Sequence, residues 1–296
     1  MLVTKSTGQK YHTATKHSYL SVQIDPNYVD ASTQLGAIEA SAYLHDRDIQ
    51  IIFDFDKIAL NEDLGFENKE FITACVVAGE IGEKSVRKLR DKIPFVCATD
   101  YFEKNSFVEA GYQNTILPES EKQKLLLPQF QFDKERYLEA VLNRRSARYF
   151  ERSRSISQAN FLQILQVLAQ PIPTEIVEDI ELYFAIKRVE GIESGLYRSD
   201  RINVISRIKA GDFSEKTGYL CINQAIAKNS AVTLFLVSDY RNYQTATQLV
   251  SLLGQRLYLV SEYLGLSCSG IGAYHDDETQ EFLETDKDVL YAMAIG

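Results

Sequence analysis

Residues 243–264 constrain this chain most. Tyr243, Ala246, Val250, Leu253, Leu257, Val260 and Leu264 alternate steps of three and four, the spacing that lines one face of an α-helix. Gly265 follows where a glycine best closes a helix C-terminus. At about 1.5 Å per residue such a helix runs on the order of 33 Å, the width of a domain or of a dimer interface. Its apolar face needs a cover, and the neighbouring sequence offers strands. IELYFAIKRV (180–189), AVTLFLV (231–237) and VLYAMAI (289–295) are short apolar runs bounded by polar or turn residues.

Two further helices precede these strands. Asp133 can cap a helix with Leu138, Val141 and Leu142 on one face, and Ser157 can cap another with Phe161, Ile164, Leu165 and Leu168 as its buried stripe. Between residues 114 and 131, NTILPESEKQKLLLPQFQ carries two prolines among polar residues and reads as a connection. A domain boundary is placed there, giving an N-terminal region over 1–125 and a second domain over 126–296. In the first region the pattern predicts a helix over 32–44, a strand over 49–55, a helix over 71–92 and a strand over 93–98.

Length and composition narrow the function classes. At 296 residues, 45% hydrophobic and 25% charged, the chain is an ordinary folded protein of two small domains or one domain with a long extension. A net charge of -9 argues against nucleic acid or an anionic membrane as the main partner. Cys75, Cys97, Cys221 and Cys268 are widely spaced and form no metal-ligand pattern, so no metal is expected and a reduced, cytoplasmic chain is the simplest account. The N-terminus lacks an apolar signal core, and the run 231–237 is far shorter than the roughly 20 residues needed to span a bilayer.

The strongest chemical signal is RRSARYF, 144–150. Arg144, Arg145 and Arg148 around the Ser146 hydroxyl make a compact anion site, because guanidinium forks match phosphate oxygens. The plainer account is a basic helix end favoured by the macrodipole. His12 and His17 with Lys16 have a spacing poor for metal ligation and read as structural. His275 reads as a loop histidine, with a substrate contact as the alternative.

LEAVLNRRSARYF, with those arginines, resembles the opening helix and RRSxRxF signature of the nitroreductase superfamily. RVEGIESGLYRSD (188–200) is similar to the VEGL-PGLY segment of its SagB-type branch of peptide-modifying dehydrogenases. LLGQRLYLVSEYLGLSCSGIGAYHD (252–276) resembles their long helix and the turn after it, and YHTATKHSYLSV resembles their YHxxTKHS opening.

The resemblance implies an α+β fold, a mostly antiparallel sheet flanked by helices, plus an N-terminal α/β region. It implies FMN held by Arg144, Arg145, Ser146, Arg148, Gln255, Ser269, Gly270 and Gly272, with Gly270 and Gly272 letting the backbone of a turn approach the flavin. It also implies a homodimer acting on a peptide-derived thiazoline or oxazoline beside peptide-modifying partner enzymes.

The sequence departs from the branch in three places. A small-residue, Gly-bearing segment is replaced by QPIPTEIVEDIELYF (170–184), where Ile176, Val177 and Asp179 are expected to crowd or repel a ring. A Lys-Tyr pair before the long helix is absent, leaving Tyr240 and Tyr243 as candidates for proton transfer. Gly254 stands where many relatives carry a histidine before the glutamine. A flavin-free scaffold subunit and an NAD(P)H-dependent nitro or quinone reductase are the alternative readings.

Overall fold

The computed structural model describes residues 2–7, 33–66, 70–79, 106–116, 121–177, 179–199, 204–240 and 242–296. The histidine-bearing opening and the strand expected over 93–98 lie outside the described residues. The chain divides into two compact units. One comprises Met1–Leu127, Ile172–Val177 and Arg241–Leu249; the other comprises Pro128–Pro171, Glu178–Tyr240 and Val250–Gly296.

The first unit is built on a three-stranded antiparallel sheet, ordered β1 (Leu2–Thr7), β3 (Glu70–Ala78), β2 (Ile49–Ile52). Helix α1 (33–44) precedes β2, α2 (Lys57–Asp63) follows it, and α3 (Ser106–Thr115) comes after β3. Asp56 caps α2 by accepting from Ala59 N at 2.8 Å. The helix expected to begin at residue 71 is corrected: β3 occupies that position. Ile72, Thr73, Val76 and Val77 are β-branched, and a central strand buried on both faces reads as a continuous apolar run that periodicity cannot separate from a helix.

The segment Ile172–Val177 joins this unit as an extended piece. Ile51 N donates to Pro173 O at 2.7 Å, Gln123 N to Glu175 O at 2.7 Å and Val177 N to Glu121 O at 3.0 Å. Ile172, Thr174 and Ile176 are buried. Of the branched residues that looked like an intrusion on a cofactor site, Ile176 completes the core of the first unit while Val177 is exposed, and the backbone of the segment is committed to hydrogen bonds.

The second unit holds a six-stranded antiparallel sheet in the order β6 (Ser206–Ala210), β5 (Gly195–Ser199), β4 (Ile180–Ile186), β7 (Val232–Ser238), β9 (Asp288–Ile295), β8 (Cys268–Ile271). Every residue of β4 and β7 is buried. One sheet face carries Tyr183, Ala185, Phe235, Val237, Ala292 and Ala294 into a core with Leu220, Ala227, Phe282 and Leu283, which come from α6 (Ser214–Leu220), α7 (Ala225–Asn229) and α9 (Asp276–Leu283). The alternate residue Phe184 meets Phe161 of α5 (Gln158–Ala169) edge to face at 5.6 Å on the other side.

The long helix α8 spans Tyr243–Tyr263, and Gly265 follows it at φ +71° in the left-handed region. Residues 250–263 belong to the second unit. There Gly254 lies against β9: a Cβ at that position would meet Tyr291 Cε1 at 2.8 Å and Met293 Sδ at 3.2 Å. The glycine that stands in place of a histidine is thus fixed by close packing of helix on strand. Leu253, Leu257 and Val260 are fully buried, each contributing about 1.5–3 kcal/mol of apolar burial.

Ser157 caps α5 as expected, accepting from Asn160 N, and Phe161, Ile164, Leu165 and Leu168 are buried. Asp133 caps α4 (Lys134–Asn143) by accepting from Arg136 N, but its expected apolar face is corrected. Tyr137 and Ala140 point inward, whereas Leu138 and Leu142 are 45% and 65% exposed. Tyr137 stacks on Phe132 with ring centroids 4.4 Å apart, which fixes the inward face one position away from the leucines.

Candidate functional site

The end of α4 runs directly into the arginine cluster. Residues 144–148 leave the helix in extended form and dock against β8: Ser146 forms an isolated parallel bridge with Cys268, and Ala147 N donates to Cys268 O at 2.8 Å. The segment expected as a turn after the long helix is, over Cys268–Ile271, this edge strand, hydrogen-bonded to β9. Edge position matters, because β8 has one side free of the sheet for the arginine segment to join.

Tyr258, on α8, ties the pieces together. Its hydroxyl accepts from Gly270 N at 2.5 Å and shares a hydrogen bond of 3.0 Å with Ser146 Oγ. The Arg144 guanidinium lies over the Tyr258 ring, 4.9 Å from its centroid. Arg145 Nη1 donates to Arg144 O at 2.9 Å. Arg144, Arg145, Ser146, Ser269 and Gly270 are therefore neighbours, joined by a tyrosine that the sequence reading did not single out. Its position five residues before the end of α8 was the available signal, and a phenol amid apolar residues is easily read as core.

The donor set fits a phosphate. Arg145 and Arg148 are exposed and Arg144 is half-buried, and among the described residues no carboxylate forms an ion pair with any of the three. Guanidinium groups without carboxylate partners beside a hydroxyl suit a dianion. A Cβ built on Gly272 meets nothing within 4 Å, leaving open space, whereas one built on Gly270 would overlap the Tyr291 hydroxyl and sit 2.8 Å from Tyr291 Cζ. Gly270 is required by Tyr291, while no neighbour among the described residues requires Gly272.

Gln255 is half-buried on α8, and no side-chain hydrogen bond joins it to the arginine cluster among the described residues. Tyr240, after β7, and Tyr243, opening α8, are both half-buried. His275 packs on Tyr219 with ring centroids 5.2 Å apart and precedes α9, a structural placement. The thiols of Cys75, Cys221 and Cys268 are free and buried, and burial pushes the first two up to about 12, which keeps them unreactive.

Arg256 has a separate role. It is 3% exposed and donates to Gln170 O at 2.7 Å and Pro171 O at 2.8 Å, closing the C-terminal end of α5. Asp179 and Glu181 both pair with Lys287, and Glu181 also accepts from Arg198 at 2.8 Å. The acidic end of the altered segment is thereby neutralised on the sheet.

The family model described as the nitroreductase family matches residues 141–296, more than half of the chain. The chain belongs to the nitroreductase family. A provisionally named nitroreductase of Methanocaldococcus jannaschii is 23% identical over 128 residues, covering 40% of this chain and 64% of that protein. The crystal structure of a provisionally named nitroreductase from Anabaena variabilis superimposes with a TM-score of 0.72 at 21% identity, covering 92% of this chain and 64% of that one. The chain thus spans less than two thirds of either relative's length. The shared nitroreductase fold is α+β, as the sequence implied, and no helix among the described residues is long and apolar enough to cross a membrane.

Proposed function

We propose that this nitroreductase-family chain is an FMN-dependent oxidoreductase that dehydrogenates a peptide-derived thiazoline or oxazoline, as the SagB-type branch it resembles does. The observation that supports it is the Arg144 guanidinium over Tyr258, whose hydroxyl joins Ser146 to the β8 edge, with Arg145 and Arg148 exposed on the same short segment and no carboxylate paired with the three among the described residues. Bound there, FMN would supply the hydride-accepting ring. Arg144, Arg145 and Arg148 would hold its phosphate, Ser146 would add a hydroxyl contact, and the open backbone at Gly272 would leave room for the ring. Tyr240 and Tyr243 are the proton-transfer candidates: dehydrogenation sends a hydride to the flavin and a proton to a base, a role in which a phenol is weak at neutral pH.

A homodimer belongs to the same reading. Leu138 and Leu142 are one turn apart on α4 and leave a substantial apolar surface uncovered, which a second copy would bury. Peptide-modifying enzymes would supply the azoline, and the protein would work in the cytoplasm. The test is incubation of the purified chain with FMN and an azoline-bearing peptide in air. Loss of two hydrogens from the peptide, with dioxygen reduced, is the expected result; a peptide of unchanged mass would overturn the substrate assignment.

The flavin-free scaffold remains the second reading because the Gly-poor segment Ile172–Val177 serves as core of the first unit. A chain that stays colourless after exposure to FMN favours it. Rapid bleaching of bound flavin by NAD(P)H would favour the nitro or quinone reductase instead.

A further inference from the structure

The first unit holds a buried cation that the flavin reading leaves unused. Lys57, the first residue of α2, is 1% exposed. Its Nζ donates to Gln244 Oε1 at 2.8 Å, in the first turn of α8. An ammonium has three donors, and no carboxylate among the described residues forms an ion pair with this one. Asp54, an acid near enough to influence it, is paired with Lys122 at 2.5 Å. Burial pulls the Lys57 ammonium down to about 8, against smaller opposing effects of Cys75 and Asp54.

Gln248 follows Gln244 by one helical turn and so shares its face. It is fully buried, and neither Oε1 nor Nε2 has a hydrogen-bond partner. Buried polar groups in folded proteins are nearly always bonded, so an amide with both ends unmade, one helical turn from the glutamine that holds a lysine without an anion, points to a missing partner.

We infer that Lys57, Gln244 and Gln248 form a binding site for a small carboxylate carrying an adjacent hydroxyl or amine. The carboxylate oxygens accept from Lys57 Nζ and Gln248 Nε2, and the adjacent donor satisfies Gln248 Oε1. A phosphate would bring two negative charges to one ammonium, and an apolar ligand would leave every group unmade. This site lies wholly in the first unit and is independent of the FMN reading.

The test is carbon-13 NMR of the full chain labelled at lysine Cε, with the Lys57 signal assigned through Lys57→Arg and titrated with and without L-lactate. Lactate is expected to raise the Lys57 midpoint by about one unit, the mark of a tenfold preference for the charged lysine. Propionate, which lacks the hydroxyl, is expected to raise it less. Gln248→Leu replaces an unbonded amide with an apolar side chain of similar size and is expected to fold and to abolish the difference between the two acids. A Lys57 midpoint indifferent to lactate, as water alone in the site would give, overturns the inference. So does a full lactate response in Gln248→Leu.

Discussion

The Tyr258 hydroxyl stands 3.0 Å from Ser146 Oγ, so the long helix and the arginine segment meet through one phenol. The same oxygen accepts from Gly270 N. Tyr258→Phe keeps the ring beneath Arg144 but leaves a backbone amide unbonded, a loss of about 1–3 kcal/mol. Chemical denaturation is expected to show that loss, and the variant is expected to retain less FMN than the parent. Full flavin retention would mean that the tyrosine organises the fold without organising the site.

The two glycines of the β8 region are expected to behave differently. Gly270→Ala drives a methyl into Tyr291 and should cost about 1–3 kcal/mol by overpacking. Gly272→Ala meets nothing within 4 Å and should leave the melting temperature unchanged while weakening FMN affinity, since the methyl enters the space assigned to the flavin edge. Equal effects of both variants on stability would remove the distinction.

How much of this was legible in the sequence depended on whether a residue's role was local. Ser157 and Asp133 cap the helices where their side chains predict, because a cap is decided within four residues. The arginines and the glycines were found as a motif, but Tyr258 was not, since its partners at 146 and 270 are distant in sequence. Leu138 and Leu142 were misread because a short helix with apolar residues on more than one face does not say which face is covered. The segment 71–79 was misread because a strand buried on both faces lacks the alternation that would have distinguished it from a helix.

A pH effect on stability follows from Lys187. Its Nζ donates to Ala227 O at 2.6 Å and to Ser230 Oγ and Thr233 Oγ1 at 2.8 Å, with Thr217 Oγ1 3.3 Å away. Burial, then the charge of Arg188, pulls its ammonium down to about 7 from 10.5. Between those values the unfolded chain holds a proton that the folded chain has released, so stability should rise with pH. Lys57, lowered to about 8, acts in the same direction. Denaturation midpoints measured from pH 7 to pH 9 are expected to increase, and Lys187→Met is expected to flatten the slope. A slope unchanged in that variant would contradict the assignment.

The dimer is tested at α4. Leu138→Lys combined with Leu142→Lys places two charges on the exposed apolar surface without touching the buried Tyr137 and Ala140. Sedimentation is expected to show a dimeric parent and a monomeric variant. A parent that sediments as a monomer would remove the homodimer from the account.

The central claim is that Arg144, Arg145 and Arg148 bind the phosphate of FMN. Equilibrium titration of the purified chain with FMN, followed by flavin fluorescence, tests it most directly. The account predicts saturable binding by the parent and affinity weakened about tenfold or more in Arg144→Ala and Arg145→Ala, because each loses a charge-assisted phosphate contact, with thermal stability little changed. A parent that binds no FMN, or variants that bind it as tightly as the parent, would contradict the account.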